Sequence, residues 1–306
     1  MNLTHDAMLV TLRIHGWSGR RYDKRASQYV AVQHDAATNA GRYNKRLLPK
    51  AALAALNATL NEARKTHYHH TLPWDDVGAR LLPVANYERY TTALDSLIER
   101  MFRERERFLA DYDNQVDQAR LDLGQLFQRE DYPSREELRG RYSAHYRIVP
   151  VPDSGHFLAD LGSGENERVR RDIEQHVQER LNGALGDLYR RLGEAVGHVC
   201  ERLGDDANGK PKVFRDSMIL NLRELVDIVP RLNLFGDRYL EGLCRDVQQR
   251  IASVDPDVLR PSGRFDPAVR RQVKRDAQDL AAHFAGYFGG NRAEPLHGAA
   301  DRAEAA

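Results

Sequence analysis

NYERYTTALDSLIERMFRERERFLADYDNQVDQARLDLGQLF, residues 86–127, is the stretch whose reading decides the fold. Its apolar residues fall at Tyr87, Tyr90, Leu94, Leu97, Met101, Phe108, Tyr112, Val116, Ala119, Leu123 and Leu126, an alternation of threes and fours interrupted at Arg105. That spacing lays one apolar seam along a long helix, of the kind that packs lengthwise against another helix. Glu99, Arg100, Arg103, Glu104, Arg105, Glu106 and Arg107 crowd the intervening positions, so the rest of the helix surface is expected to face water.

A second seam runs through residues 164–203, with Val169, Ile173, Val177, Leu181, Leu185, Leu188, Leu192, Val196, Val199 and Leu203. The expectation is that the two helices pair as a long antiparallel, coiled-coil-like hairpin. Gly183, Gly186, Gly193 and Gly197 each cost about 1 kcal/mol against Ala inside a helix. Close helix approach or local bending is expected to offset them.

Working outward, Val10, Leu12 and Ile14 alternate with polar neighbours as in a half-buried strand. The sequence then breaks at Gly16 and reads as a basic helix over residues 19–34. Another helix is expected from Pro49 to about Thr66, with Leu53, Leu56, Leu60 and Ala63 inward. HYHHTLPWDDVGARLLP, residues 67–83, reads as a folded loop with a short strand near 80–82, and Asn86 as the N-cap of the long helix. Ser134 and Glu137 form a capping box that opens a short helix to about Arg141. Residues 143–152 look extended, with Pro150 and Pro152 confining them to a sheet edge, and Gly155, Gly162 and Gly164 mark a turn region.

The expected class is therefore mainly α with a small α+β head, a long antiparallel helical hairpin and a C-terminal helical subdomain. Boundaries are placed at 1–83 for the basic head, 84–203 for the hairpin with an inserted short helix and extended segment (130–163), 204–288 for the C-terminal helices and 289–306 for a disordered tail. At 306 residues the chain is long enough to bury a substantial core. No apolar run is long enough for a membrane span, the start lacks a secretory pattern, and Cys200 and Cys244 are distant and unpaired in motif. A cytoplasmic protein without cofactor is expected.

The formal charge of +1 conceals an uneven distribution: eleven Lys and Arg against four Asp and Glu in residues 1–70, and 35 against 41 in the remainder. A basic head on an acidic body directs attention to phosphate or acidic partners.

WSGRRYDKRAS, AGRYNKRLLP, TLPWDDVGARLLPVANYERY and DYPSREELRGRY together resemble a family of bacteriophage and integrative-element proteins of unknown function. The resemblance covers roughly the first half and extends more loosely beyond it. Genes of that family often lie near MoxR-type AAA+ ATPases and von Willebrand type A proteins. What the resemblance implies is a partner class; it carries no catalytic residue with it.

Three sets of residues are candidates for chemistry. Arg20, Arg21, Lys24, Arg25, Arg42, Lys45, Arg46 and Lys50, interleaved with Tyr22 and Tyr43, can contact phosphates and stack on bases, or form a solvated face with ion pairs of its own. Trp74, Asp75 and Asp76 can form an interaction loop with an aromatic anchor, or plug the base of the helices. His67, His69 and His70 carry metal-ligating side chains but lack the i,i+4 spacing of a helical zinc site, which favours a packing role. Neither GSGENE nor GDDANGKPK has the spacing of a nucleotide-binding loop, and no nucleophile elbow or dinucleotide fingerprint occurs.

The leading expectation is a non-enzymatic adaptor or scaffold of a phage or mobile element, assembling through helices with itself and with an AAA+ ATPase. The alternative is a nucleic-acid-binding accessory protein using the basic head.

Overall fold

The computed structural model describes residues 3–75, 78–152 and 163–289. Asp76, Gly155, Gly162 and the expected tail from residue 290 lie outside them. In chain order the elements are α1 (Leu3–Asp6), β1 (Ala7–His15), β2 (Arg20–Tyr22), α2 (Lys24–Gln33), β3 (Asn44–Arg46), α3 (Ala54–His69), β4 (Leu72–Pro73), β5 (Arg80–Pro83), α4 (Tyr87–Leu123), α5 (Arg135–Arg141), β6 (Ser143–Pro150), α6 (Ser163–Arg202), α7 (Asp216–Leu232), α8 (Arg238–Val247) and α9 (Pro267–Gly289). The chain is mainly helical with a small antiparallel sheet. No helix among the described residues is long and apolar enough to cross a membrane.

Two compact units divide the chain, one holding Ala7–Thr71 and Asp75–Val151, the other Leu72–Trp74 and the described residues from Pro152 onward. Of the expected head, residues 7–71 and 75–83 share one unit with α4, whereas residues 72–74 fall in the other.

Within the first of these units β1 lies between β5 and β6 and is antiparallel to both. Pro150 sits opposite Met8 at the end of edge strand β6, where its missing N–H breaks no interior ladder. β1 lays Val10 into a core with Ala63, Leu82, Tyr90, Leu94 and Leu97. A larger core joins Trp17, Leu53, Leu56 and Leu60 to Met101, Phe108, Tyr112 and Val116 of α4, and to Leu138 and Tyr142. Each such aliphatic side chain removed from water contributes about 1.5–3 kcal/mol.

The seam of α4 is thus buried from Tyr90 to Ala119, but its partner is α3 rather than residues 164–203. α3 runs antiparallel to the first half of α4, as the Glu62–Arg100 ion pair and the His67–Tyr90 hydrogen bond show. α6, in the other unit, packs on α7 and α9. An apolar stripe says that a helix needs a cover, not which segment supplies it. α3 is close in sequence, and the entropy of closing its loop is correspondingly small. Arg105, which interrupts the seam, lies over the Phe102 ring and donates to the Arg139 carbonyl of α5.

Local details also differ from expectation. The segment expected to be helical from Gly19 begins instead with β2, and α2 starts only after Asp23, whose Oδ1 accepts from the Ala26 N–H at 2.9 Å as an N-cap. Asn86 occupies the N-cap position of α4, yet its buried amide donates to the His70 carbonyl at 2.8 Å and makes no cap bond. In α6 one glycine answers to close packing: a Cβ on Gly193 would lie 3.0 Å from Cβ of Phe284 on α9.

In that second unit Arg270 on α9 is buried and donates to the carbonyls of Arg202, Leu203, Lys212 and Leu259. Its guanidinium neutralises the partial negative charge at the C-terminal end of α6 and ties three segments to one side chain.

Candidate nucleic-acid interface

β2 and β3 form an isolated antiparallel ribbon with Arg20 opposite Arg46, Arg21 opposite Lys45 and Tyr22 opposite Asn44. Because side chains alternate along a strand and opposed residues share a face, the ribbon sorts these side chains into two sets.

The inward set is Arg21 and Lys45. Lys45 is buried, with its Nζ 2.6 Å from Asp131 Oδ2, 3.0 Å from Asp23 Oδ2 and 2.7 Å from the Leu126 carbonyl it donates to. Arg21 reaches Asp131 at 3.4 Å from the more exposed side. Burial by itself would depress the Lys45 pKa, but the hydrogen bonds to Asp131 and Asp23 outweigh it and hold the ammonium above its usual range. Asp23 is held below the ordinary carboxylate range, first by the Ala26 N–H and then by Lys45. Lys45, expected among the phosphate contacts, is therefore withdrawn from that role. Two nearby carboxylates make its burial tolerable, and neither is adjacent to it in sequence.

The outward set is Arg20, Tyr22, Asn44 and Arg46, all exposed. Arg42 adds its guanidinium over the Tyr22 ring at 5.7 Å. Like charges directly opposite one another weaken a strand pair, and among the described residues no ion pair relieves Arg20, Arg42 or Arg46. Lys24 and Arg25 stand exposed in the first turn of α2, where the helix dipole already carries positive potential, and Lys50 is exposed in the short turn Lys50–Leu53.

The ribbon is held firmly from below. The Leu47 N–H donates to the Gly19 carbonyl at 2.8 Å, and the Tyr132 hydroxyl donates to the Leu47 carbonyl at 2.7 Å. Gly19 has φ +62°, and a Cβ there would come within 2.7 Å of Leu53, so the turn into β2 requires glycine.

The remaining candidates sit elsewhere. Trp74 is 4% exposed and so is not an exposed anchor, whereas Asp75 is exposed. His67 is buried with Nδ1 3.0 Å from the Tyr90 hydroxyl, and His70 Nδ1 lies 3.3 Å from Asn86 Nδ2. Desolvation pushes both imidazoles down to about 4, so they are neutral packing groups near pH 7. His69 stacks edge-on against His70. Among the described residues no three His, Cys, Asp or Glu side chains converge as a metal site.

Arg64, His67, Asp75 and Arg80 line a cleft of about 260 Å³, but Arg80 is tied to Thr71 through both its hydroxyl and its carbonyl. A family model described as "Protein of unknown function (DUF3150)" matches residues 4–214, which includes the ribbon, α4 and α6. No curated protein matches the chain, and no solved structure does.

Proposed function

Because the chain belongs to the DUF3150 family, whose description assigns no activity, its role has to be read from its own surface, and we propose that it is a non-enzymatic nucleic-acid-binding protein. The reading rests on Arg20 facing Arg46 on an exposed ribbon, with no acidic partner for either among the described residues. Phosphate is the ligand chemistry that relieves such a pair, and the neighbouring Arg42, Lys24, Arg25 and Lys50 extend the same potential along the surface. Tyr22 and Tyr43, both exposed, supply flat apolar rings between the cations. The test is fluorescence anisotropy with labelled single-stranded and duplex DNA and RNA at several salt concentrations. Binding that weakens steeply as salt rises, and weakens again in Arg20→Gln/Arg46→Gln, supports the reading. Binding that ignores both removes it.

A second reading keeps the chain as an adaptor of a phage or other mobile element, assembling with itself or with a MoxR-type AAA+ ATPase. The resemblance in sequence supports that partner class. Val169, Ile173 and Val177 support it too, because this early stripe of α6 is only half-buried while the same seam from Leu181 onward is buried. Size-exclusion chromatography with light scattering tests it: a stable oligomer dispersed by Ile173→Asp favours assembly, and a monomer that co-migrates with no ATPase counts against it. A cytoplasmic location accords with both readings.

A further inference from the structure

Beside the ribbon lies a cleft of about 360 Å³, bounded by the exposed face of α2 at Val30 and His34 and by the loop that returns to β3. Its floor is Ala31 and Ser27, and its outer wall carries Ala37, Ala40 and Tyr43. The small exposed side chains of the wall leave the cleft open, and Val30 and Tyr43 are 48% and 40% exposed. Its volume is within the range that holds a small molecule, about 300–1,000 Å³.

The frame of this cleft does not depend on any ligand. The Tyr43 N–H donates to Ser27 Oγ at 2.9 Å, Ser27 Oγ donates to the Asp23 carbonyl at 2.7 Å, and the Asp23 N–H donates to the Tyr43 carbonyl at 2.9 Å. The Ala36 N–H caps the end of α2 by donating to the Ala31 carbonyl. Tyr43 is thus fixed through its backbone, and its ring is left for something else.

We infer that the cleft receives one unstacked base of a single-stranded nucleic acid whose backbone lies along Arg42, Arg20 and Arg46, a refinement that rests on the nucleic-acid reading above. Charge complementarity selects the occupant: an apolar slot with Arg42 at its rim, next to a ribbon that carries Arg20 and Arg46, suits a ligand with a flat apolar part and an adjoining phosphate. A paired base cannot enter, because its faces are covered in the duplex. Arg42 lies at the rim with its guanidinium beside the Tyr22 ring, so cation and aromatic surfaces alternate from the cleft onto the ribbon.

The experiment compares the full chain's affinity for a labelled 20-nucleotide oligo-dT, the same backbone without bases, and a duplex of equal length. Expected is roughly tenfold or greater preference for the oligo-dT, the range that stacking of one or two bases supplies. Filling the slot with Ala37→Leu/Ala40→Leu is expected to abolish that preference while the dependence on salt persists. Tyr43→Leu, which keeps every backbone bond of the frame, tests the same point should the double variant fail to fold. Equal affinity for all three probes, unchanged in both variants, overturns the base site and leaves the electrostatic reading standing. Failure of the wild-type chain to bind any probe at low salt overturns both.

Discussion

Lys45 and Asp131 meet 2.6 Å apart in the interior, joining the ribbon to the segment that follows α4. With Asp23 completing the group, one buried ammonium holds together the N-cap of α2, the centre of β3 and the turn before α5. Lys45→Met leaves Asp23 without its cation and Asp131 with Arg21 alone, and is expected to cost about 3 kcal/mol in urea unfolding at pH 7. The sign with pH follows from Asp23: its lowered pKa makes the contribution present above about pH 4 and lost as pH falls through the folded value. The difference between wild type and Lys45→Met should therefore shrink on acidification below pH 4. An equal difference at pH 7 and pH 3 would remove the pair from this role.

Arg20→Gln and Arg46→Gln should separate electrostatics from stability. Each removes one half of a repulsive pair, so the melting temperature is expected to hold or rise slightly. Nucleic-acid affinity is expected to fall, with the slope of log affinity against log salt reduced by about 1 for each phosphate that the variant no longer engages. Titrations in 50–200 mM salt, paired with thermal melts, measure both quantities on the same samples.

His67 and His70 predict an acid-sensitive core. Their folded pKa values, near 4, lie below the unfolded value of about 6.5, so the unfolded chain binds more protons between these limits. Stability is fully present above about pH 6.5 and declines as pH falls toward 4, by a few kcal/mol for the pair. His67→Phe/His70→Gln should flatten that decline, read from urea midpoints at pH 7.5 and pH 5. A double variant with the wild-type slope would place the acid sensitivity elsewhere.

Arg270→Lys should destabilise the second unit by about 2–3 kcal/mol, because an ammonium cannot span the carbonyls of Arg202, Lys212 and Leu259 that the guanidinium reaches. Hydrogen exchange resolved by segment should show faster exchange in α9 and at the end of α6. Unchanged protection there would show that the carbonyls find water instead.

Sequence periodicity alone determined that two long helices with apolar seams exist, that β1 is half-buried, and that Ser134 and Glu137 cap a short helix, since spacing and capping act within a few residues. Only the tertiary structure decided that α3 covers α4 and that Lys45 turns inward while Arg20 and Arg46 face out. The alternation in Asn44–Arg46 carries that last distinction, but three residues are too few to announce a strand, and the partners that make Lys45's burial possible, Asp23 and Asp131, are brought to it by folding. Local rules declare which side chains need cover or compensation. Which distant groups provide it depends on how loop closure and packing select among compatible faces, and that choice exists only in three dimensions.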